Sequence, residues 1–436
     1  MQRTWLVLAA LVGCGDNLPA DSGYVDIIGH HDLGARGMNA ALAIADRTVY
    51  VGSRIDTAGI AIVDVSEVSA PAIVGEIPGV LGMSSRELRA VADLNLLVVL
   101  SLRCDPDLHG CSRTGGEAEA LKLYDITDRR APVLTATYPI TGTSINRPRG
   151  PHEFYLRRDG DRVVAYVAAP PANPSLELVD LTDKTAPVRL TTWDIRDAGV
   201  TVTPGGEDIL HSVSVSLDGT RAFLSHQLSG LFVADLTAMP AITLTTPPAG
   251  AFDFAPPFTV GPHSATEVPG RDVLVVTEEV YPAPYGTGCP WGKLRTVDIA
   301  NPAAPVLLGE FGVPENDPAV CATGGFERTA FTAHNVTATH DLAFVTWYAG
   351  GLQVLDLADP AAPRGLVDLR PEPLAAVTVE DPALGGNGIE MWSYPIIKAG
   401  FVYVVDARNG LYILRYTGIH AEQVLDEELL EGNSNL

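Results

Sequence analysis

Ala61-Ile62-Val63-Asp64-Val65-Ser66, with Pro71 seven residues after the aspartate, is the phrase on which the fold turns. It returns as Leu123-Tyr124-Asp125-Ile126-Thr127 with Pro132 and as Leu178-Val179-Asp180-Leu181-Thr182 with Pro187. Further copies are Val233-Ala234-Asp235-Leu236-Thr237 with Pro240, Thr296-Val297-Asp298-Ile299 with Pro305, and Val354-Leu355-Asp356-Leu357 with Pro363. Successive aspartates lie 61, 55, 55, 63 and 58 residues apart, a period that marks propellers or solenoids. The aliphatic run reads as a strand, the aspartate as an acceptor for backbone N–H groups of the next turn, and the proline as the residue that fixes that turn. The aspartates are therefore structural, not catalytic. A degenerate seventh copy, Tyr412-Ile413-Leu414-Arg415-Tyr416, puts Arg415 in the aspartate's place.

Two more β runs precede each phrase, such as His334-Asn335-Val336-Thr337-Ala338 and Ala343-Phe344-Val345-Thr346-Trp347, and a fourth follows the proline, such as Val306-Leu307-Leu308-Gly309-Glu310-Phe311. Four antiparallel strands per unit predict a propeller blade. The seventh unit lacks its outer strand, whereas Tyr24-Val25-Asp26-Ile27-Ile28-Gly29 resembles Pro305-Val306-Leu307-Leu308-Gly309-Glu310. The expected fold is all-β: a seven-bladed propeller of four-stranded blades over residues 23–417, closed by the N-terminal strand, which removes the open edges. Residues 418–436 are acidic and free of lysine and arginine, and read as one short helix or a solvated tail.

The repeated phrase resembles the LVIVD-repeat proteins, exported bacterial and archaeal β-propellers, over roughly residues 24–416. That resemblance implies the fold far more than an activity, because propellers host unrelated functions.

The chain has 436 residues and a formal net charge of −24, with 29 Lys+Arg against 53 Asp+Glu. Such a surface repels phosphate backbones and anionic lipid, so nucleic acid is not an expected partner. At the N-terminus, Arg3 precedes an apolar run and then Leu11-Val12-Gly13-Cys14. This reads as a lipoprotein signal over residues 1–13, with Cys14 as the lipidated residue and 14–22 as a tether. The expected location is the outer membrane or cell surface. Cys104, Cys111, Cys289 and Cys321 remain, an even number for an oxidising compartment. Cys104 and Cys111 bracket a loop that a disulfide would close, and the other two pair by elimination. A zinc site is the alternative, without paired Cys-x-x-Cys spacing to support it.

The opening residue of the inner strand is histidine in four consecutive units: His152, His211, His263 and His334. Equivalent positions in symmetric blades sit at equal depth, so these imidazoles predict an arc at one mouth of the central channel. Met38 and Asn39, Arg86 and Glu87, and Met391 and Trp392 occupy the corresponding places in the other units. Three or four neutral imidazoles with a carboxylate from Glu87 or Glu153 are a donor set for copper, zinc, iron or nickel. In architecture only, this is similar to the selenium-binding protein and methanethiol oxidase family, whose propellers use histidines for copper. The competing reading is that each histidine caps its strand by bonding a neighbouring blade.

Long insertions at residues 103–120 and 278–292 point to a binding face, and Tyr281, Tyr285 and Trp291 in the second suit a ligand lid or partner contact. The sequence contains no Gly-x-Ser-x-Gly elbow, phosphate-binding glycine loop or His-Glu-x-x-His. The expected function is a membrane-anchored scaffold that binds a protein, glycan or small-molecule ligand. The alternative is a metal-dependent oxidoreductase or hydrolase built on the histidines.

Overall fold

The computed structural model describes residues 22–111, 116–140, 150–169, 175–200, 209–248, 252, 261–326 and 329–436. The signal segment 1–13, Cys14 and nearly all of the tether lie outside the described residues. The chain is an all-β propeller made of antiparallel meanders. The first two are Asn39–Ala45, Thr48–Ser53, Ile60–Asp64, Ala72–Ile77 and then Met83–Val91, Leu96–Arg103, Ala120–Asp125, Val133–Pro139. Four more follow, with inner strands Glu153–Asp159, Leu210–Val215, Pro262–Glu267 and Val336–Ala338. The last sheet combines Ile396–Lys398, Phe401–Asp406 and Gly410–Tyr416 with Val25–His31, which pairs antiparallel to Gly410–Tyr416 as the outermost strand.

Seven separate four-stranded sheets were expected; the described strands form six sheets of four, five or eight strands. The first two meanders merge because Ser53 pairs with Ser85 between their inner halves. Two other sheets gain a fifth strand from the C-terminal segment, which is a correction to the solvated tail. After the short helix Glu422–Leu425, Leu430–Glu431 pairs with Ile396–Lys398, and Ser434–Asn435 runs parallel to Glu153–Asp159. Inner strands have an unpaired edge toward the axis, and these short pieces satisfy part of its backbone.

Strand composition follows position in the meander. Thr48–Ser53 is buried at every residue because both of its faces pack on neighbouring blades, whereas the outer strand Ala72–Ile77 is mostly exposed or half-buried. The core lies between meanders: Leu42, Val49 and Val63 of the first pack on Val405, Leu411 and Ile413 of the last. Six aspartates hold the turns. Their Oδ1 atoms accept from the N–H two residues on: Ser66 for Asp64 (2.9 Å), Thr127 for Asp125 (2.7 Å) and Thr182 for Asp180 (3.0 Å). The same holds for Asp235, Asp298 and Asp356, with Thr237, Ala300 and Ala358 as donors.

Outer strands approach the next meander through glycine. A Cβ on Gly29 would lie 1.9 Å from the Val68 carbonyl oxygen, one on Gly75 2.9 Å from that of Arg130, and one on Gly309 2.6 Å from that of Ala361. Gly29 thus docks against the first meander as Gly75 docks against the second, which closes the ring.

Candidate functional site

Every inner strand from the second meander to the sixth opens with two residues facing one. The ladder slips between Ser85 and Glu87, between Leu210 and Ser212, and between Pro262 and Ser264, so the extra residues are Arg86, His211 and His263. His152 donates its N–H to the Ala168 carbonyl while Glu153 pairs with Ala168. His334 and Asn335 likewise share Thr346. A bulge of this kind frees one residue from the ladder and re-aims its side chain.

The result is a continuous arc of imidazoles. Ring centroids are 4.0 Å apart for His152 and His211, 4.1 Å for His211 and His263, and 3.9 Å for His263 and His334. The last three are buried and His152 is partly exposed.

The carboxylate they face is Glu279, just past strand Val273–Glu278 in the 278–292 insertion. Its Oε2 lies 3.6 Å from His211 Nε2 and 3.7 Å from His263 Nε2, and its Oε1 lies 3.2 Å from His334 Nε2. Proton placement follows from the partners on the far side. His334 Nδ1 is 2.5 Å from the Trp392 carbonyl, which only accepts, so Nδ1 carries a hydrogen and Nε2 is the nitrogen turned to Glu279. Ser212 Oγ donates to Glu153 Oε2 (2.7 Å) and therefore accepts from His211 Nδ1 (3.0 Å). His211 Nε2 is bare. Neither of these Nε2 atoms, nor either ring nitrogen of His263, has a hydrogen-bond partner among the described residues.

Burial keeps His152, His211 and His263 neutral. It holds His211 down to about 3, against the opposing pull of Glu279. His152 and His263 are also held well below the usual histidine range, by burial first and then by neighbouring imidazoles. The bare Nε2 of His211 thus faces a carboxylate with no proton between them, an arrangement that a cation relieves.

Glu279 is itself fixed from behind. Tyr348 Oη donates to Glu279 Oε1 (2.6 Å), and the Tyr281 hydroxyl is 2.9 Å from that of Tyr348. Tyr348 adopts φ 44°, a left-handed conformation costly for a bulky residue, and is bridged to Met391 through both backbone groups.

Glu87 and Glu153, expected as the added carboxylate, serve other partners, so that expectation is corrected. Glu87 pairs with Arg89 (3.2 Å), and Arg89 also donates to the Asn433 carbonyl. Glu153 accepts from Ser212 and from Tyr394 Oη (2.8 Å), and burial raises it to about 7. It reaches the arc only through Ser212.

The loop residues divide. Trp291, expected as a loop contact, is 1% exposed and packs into the core beside Leu294. Tyr281 turns inward to Tyr348. Tyr285 remains exposed, and its hydroxyl donates to the Asp107 carbonyl (3.2 Å), which joins the fifth insertion to the Cys104–Cys111 loop. Cys104 is disulfide-bonded to Cys111 and Cys289 to Cys321. No helix among the described residues is long and apolar enough to cross a membrane.

The LVIVD repeat family matches residues 42–77 and 289–312, and the chain carries that repeat. No curated protein matches this sequence. Among solved structures, the Cps50 (Swd1) β-propeller domain of Myceliophteria thermophila is similar in fold, at 13% identity and a TM-score of 0.51. The match covers 90% of this chain and 100% of that one.

Proposed function

For a propeller that carries LVIVD repeats, we propose a role as a binding scaffold at the cell envelope whose channel end holds a first-row transition metal. His211, His263, His334 and Glu279 are the ligands, His152 flanks them, and copper, zinc, iron or nickel suits the donor set. The observation that carries this is the pair of Nδ1–H groups donated away, on His334 to Trp392 and on His211 to Ser212, with both Nε2 atoms turned to Glu279. Ligating histidines characteristically donate the other ring N–H in this way.

Spacing supports the same reading. Tetrahedral ligands at about 2.0–2.1 Å from zinc stand roughly 3.4 Å from one another. The nitrogen–oxygen separations here are 3.2, 3.6 and 3.7 Å. One ligand atom from each of His211, His263 and Glu279 fits within a 4.8 Å span; His334 lies outside that group and meets the other carboxylate oxygen.

Counting the eight-stranded sheet as two blades gives a seven-bladed ring, with Cys14 as its lipid anchor and the Tyr285 loop as the contact for a protein, glycan or small ligand. A metal-dependent oxidoreductase or hydrolase is the second reading, favoured by the partial exposure of His152, which leaves one side of the cluster approachable.

Elemental analysis of the purified protein beside a His211→Ala/His334→Ala double variant tests the metal. Near-stoichiometric metal in the wild type, lost in the variant, is expected. A wild type that carries none of the four metals and takes up none of them when they are supplied refutes it.

A further inference from the structure

Arg86 occupies in the second blade the bulge position that histidine fills in the next four. Its guanidinium lies over the Trp392 ring, 5.4 Å from the centroid, and the Trp392 carbonyl takes the Nδ1–H of His334. Arg86 is therefore one side chain removed from the ligand cluster.

What sets Arg86 apart is that no anion pairs with it among the described residues. Arg54, whose guanidinium also lies 5.4 Å from the Trp392 ring centroid, is paired with Asp381 (3.1 Å) and Glu390 (3.2 Å). Arg89, three residues on, is paired with Glu87. Arg86 has no carboxylate within 4.0 Å among the described residues, and its buried Nε has no hydrogen-bond partner there. Glu279 does not fill this role, because its carboxylate is engaged by the histidines and Tyr348. In a chain of net charge −24, a half-buried guanidinium without a carboxylate among the described residues, at the functional end of a channel, is suited to receive an anion from outside.

Resting on the metal reading of this channel end, we infer that Arg86 and the partly exposed His152 form an oxyanion site beside the metal, so that the ligand or substrate is a small carboxylate or phosphate. The guanidinium fork suits two oxygens of such a group, and stacking on Trp392 holds the fork in place. His152 adds a ring nitrogen on the same side of the arc. Neutral ligands of the same size lack the charge that Arg86 is placed to meet.

Calorimetric titration of acetate, of inorganic phosphate and of neutral acetamide into the zinc-loaded protein tests this, with Arg86→Gln and Arg86→Lys beside the wild type. Either acetate or phosphate binds the wild type and acetamide does not; whichever binds identifies a planar or a tetrahedral oxyanion. Arg86→Gln weakens that affinity roughly tenfold or more, and Arg86→Lys by less, at equal zinc content. Equal affinity in wild type and Arg86→Gln, or no anion bound by the loaded wild type, overturns the oxyanion site and leaves the metal standing. If none of copper, zinc, iron or nickel binds, the metal reading fails by itself, and the same titration on the metal-free protein decides. Affinity that depends on Arg86 keeps the oxyanion site, and its absence removes it.

Discussion

Tyr348 Oη sits 2.6 Å from Glu279 Oε1 and donates to it, while the Tyr281 hydroxyl, 2.9 Å away, supplies Tyr348 with a donor in turn. Two phenols from different blades therefore orient the one carboxylate that the imidazoles face. Outer partners of this kind typically change metal affinity by about 10–100-fold. Tyr348→Phe is expected to weaken metal binding within that range, and Tyr281→Phe to weaken it less, since it acts through Tyr348. Competition with a chromophoric chelator measures both; an unchanged affinity in Tyr348→Phe would remove the phenol from the site.

Acid should weaken the repeat turns. The Ser66 hydroxyl and N–H hold Asp64 below the ordinary carboxylate range, Lys184 and then Thr127 do so for Asp125, and Thr237 for Asp235. For Asp180, burial pushes upward and is outweighed by Thr182 and Arg162. A carboxylate depressed in the folded state contributes stability that is full above its unfolded value, near 4, and is lost as pH falls through the folded value. Urea midpoints are thus expected to drop below pH ~4, and Asp125→Asn to shrink that drop. A midpoint as high at pH 3 as at pH 6 would contradict this.

The two disulfides should differ in worth. Cys104 and Cys111 are separated by 7 residues, Cys289 and Cys321 by 32. Chain-entropy scaling gives about 2.5 kcal/mol for the short loop and about 3.7 kcal/mol for the long one. Paired Cys→Ser replacement of the second bridge should lower the unfolding free energy more than replacement of the first, with the reverse order counting against loop closure as the mechanism.

Ring closure is open to a single-atom test. A methyl group at Gly29 meets the Val68 carbonyl oxygen at 1.9 Å, a backbone atom that cannot rotate away. Gly29→Ala is expected to cost about 1–3 kcal/mol by overpacking. The same change at Gly34, where nothing lies within 4 Å but φ is +74°, separates backbone strain from the clash. A melting temperature unaffected by Gly29→Ala would mean that the N-terminal strand does not dock there.

The propeller was legible because its signals are local. Each aspartate bonds the N–H two residues away, so phrase and turn lie within one short stretch of sequence, and Gly29 could be matched to Gly309 by the strand around it. The histidines were legible for a related reason: repetition places equivalent residues at equivalent depth. Glu279 was not, because it lies just past a repeat strand, in an insertion outside the repeated phrase, where no register with the other blades marks it. Glu87 and Glu153 looked better placed by number, yet a residue next to a bulge points to the other side of the strand. That geometry sends Glu87 to Arg89 and Glu153 to Ser212 and Tyr394. Trp291 reads as a loop aromatic, but the Cys289–Cys321 bridge folds its insertion back onto the core. The paired pieces Leu430–Glu431 and Ser434–Asn435 are two residues each, too short for any periodicity to mark them.

The bulges that carry Arg86, His211 and His263 separate what these residues do from what holds the blade. A bulged residue has no partner of its own across the ladder, so exchanging its side chain removes no interstrand hydrogen bond. The lining of the channel is therefore interchangeable, one position per blade, on a scaffold indifferent to the exchange. Arginine at 86 and histidine at 211 and 263 are alternatives for one socket, and Arg86→His would extend the imidazole arc by one blade without a new fold.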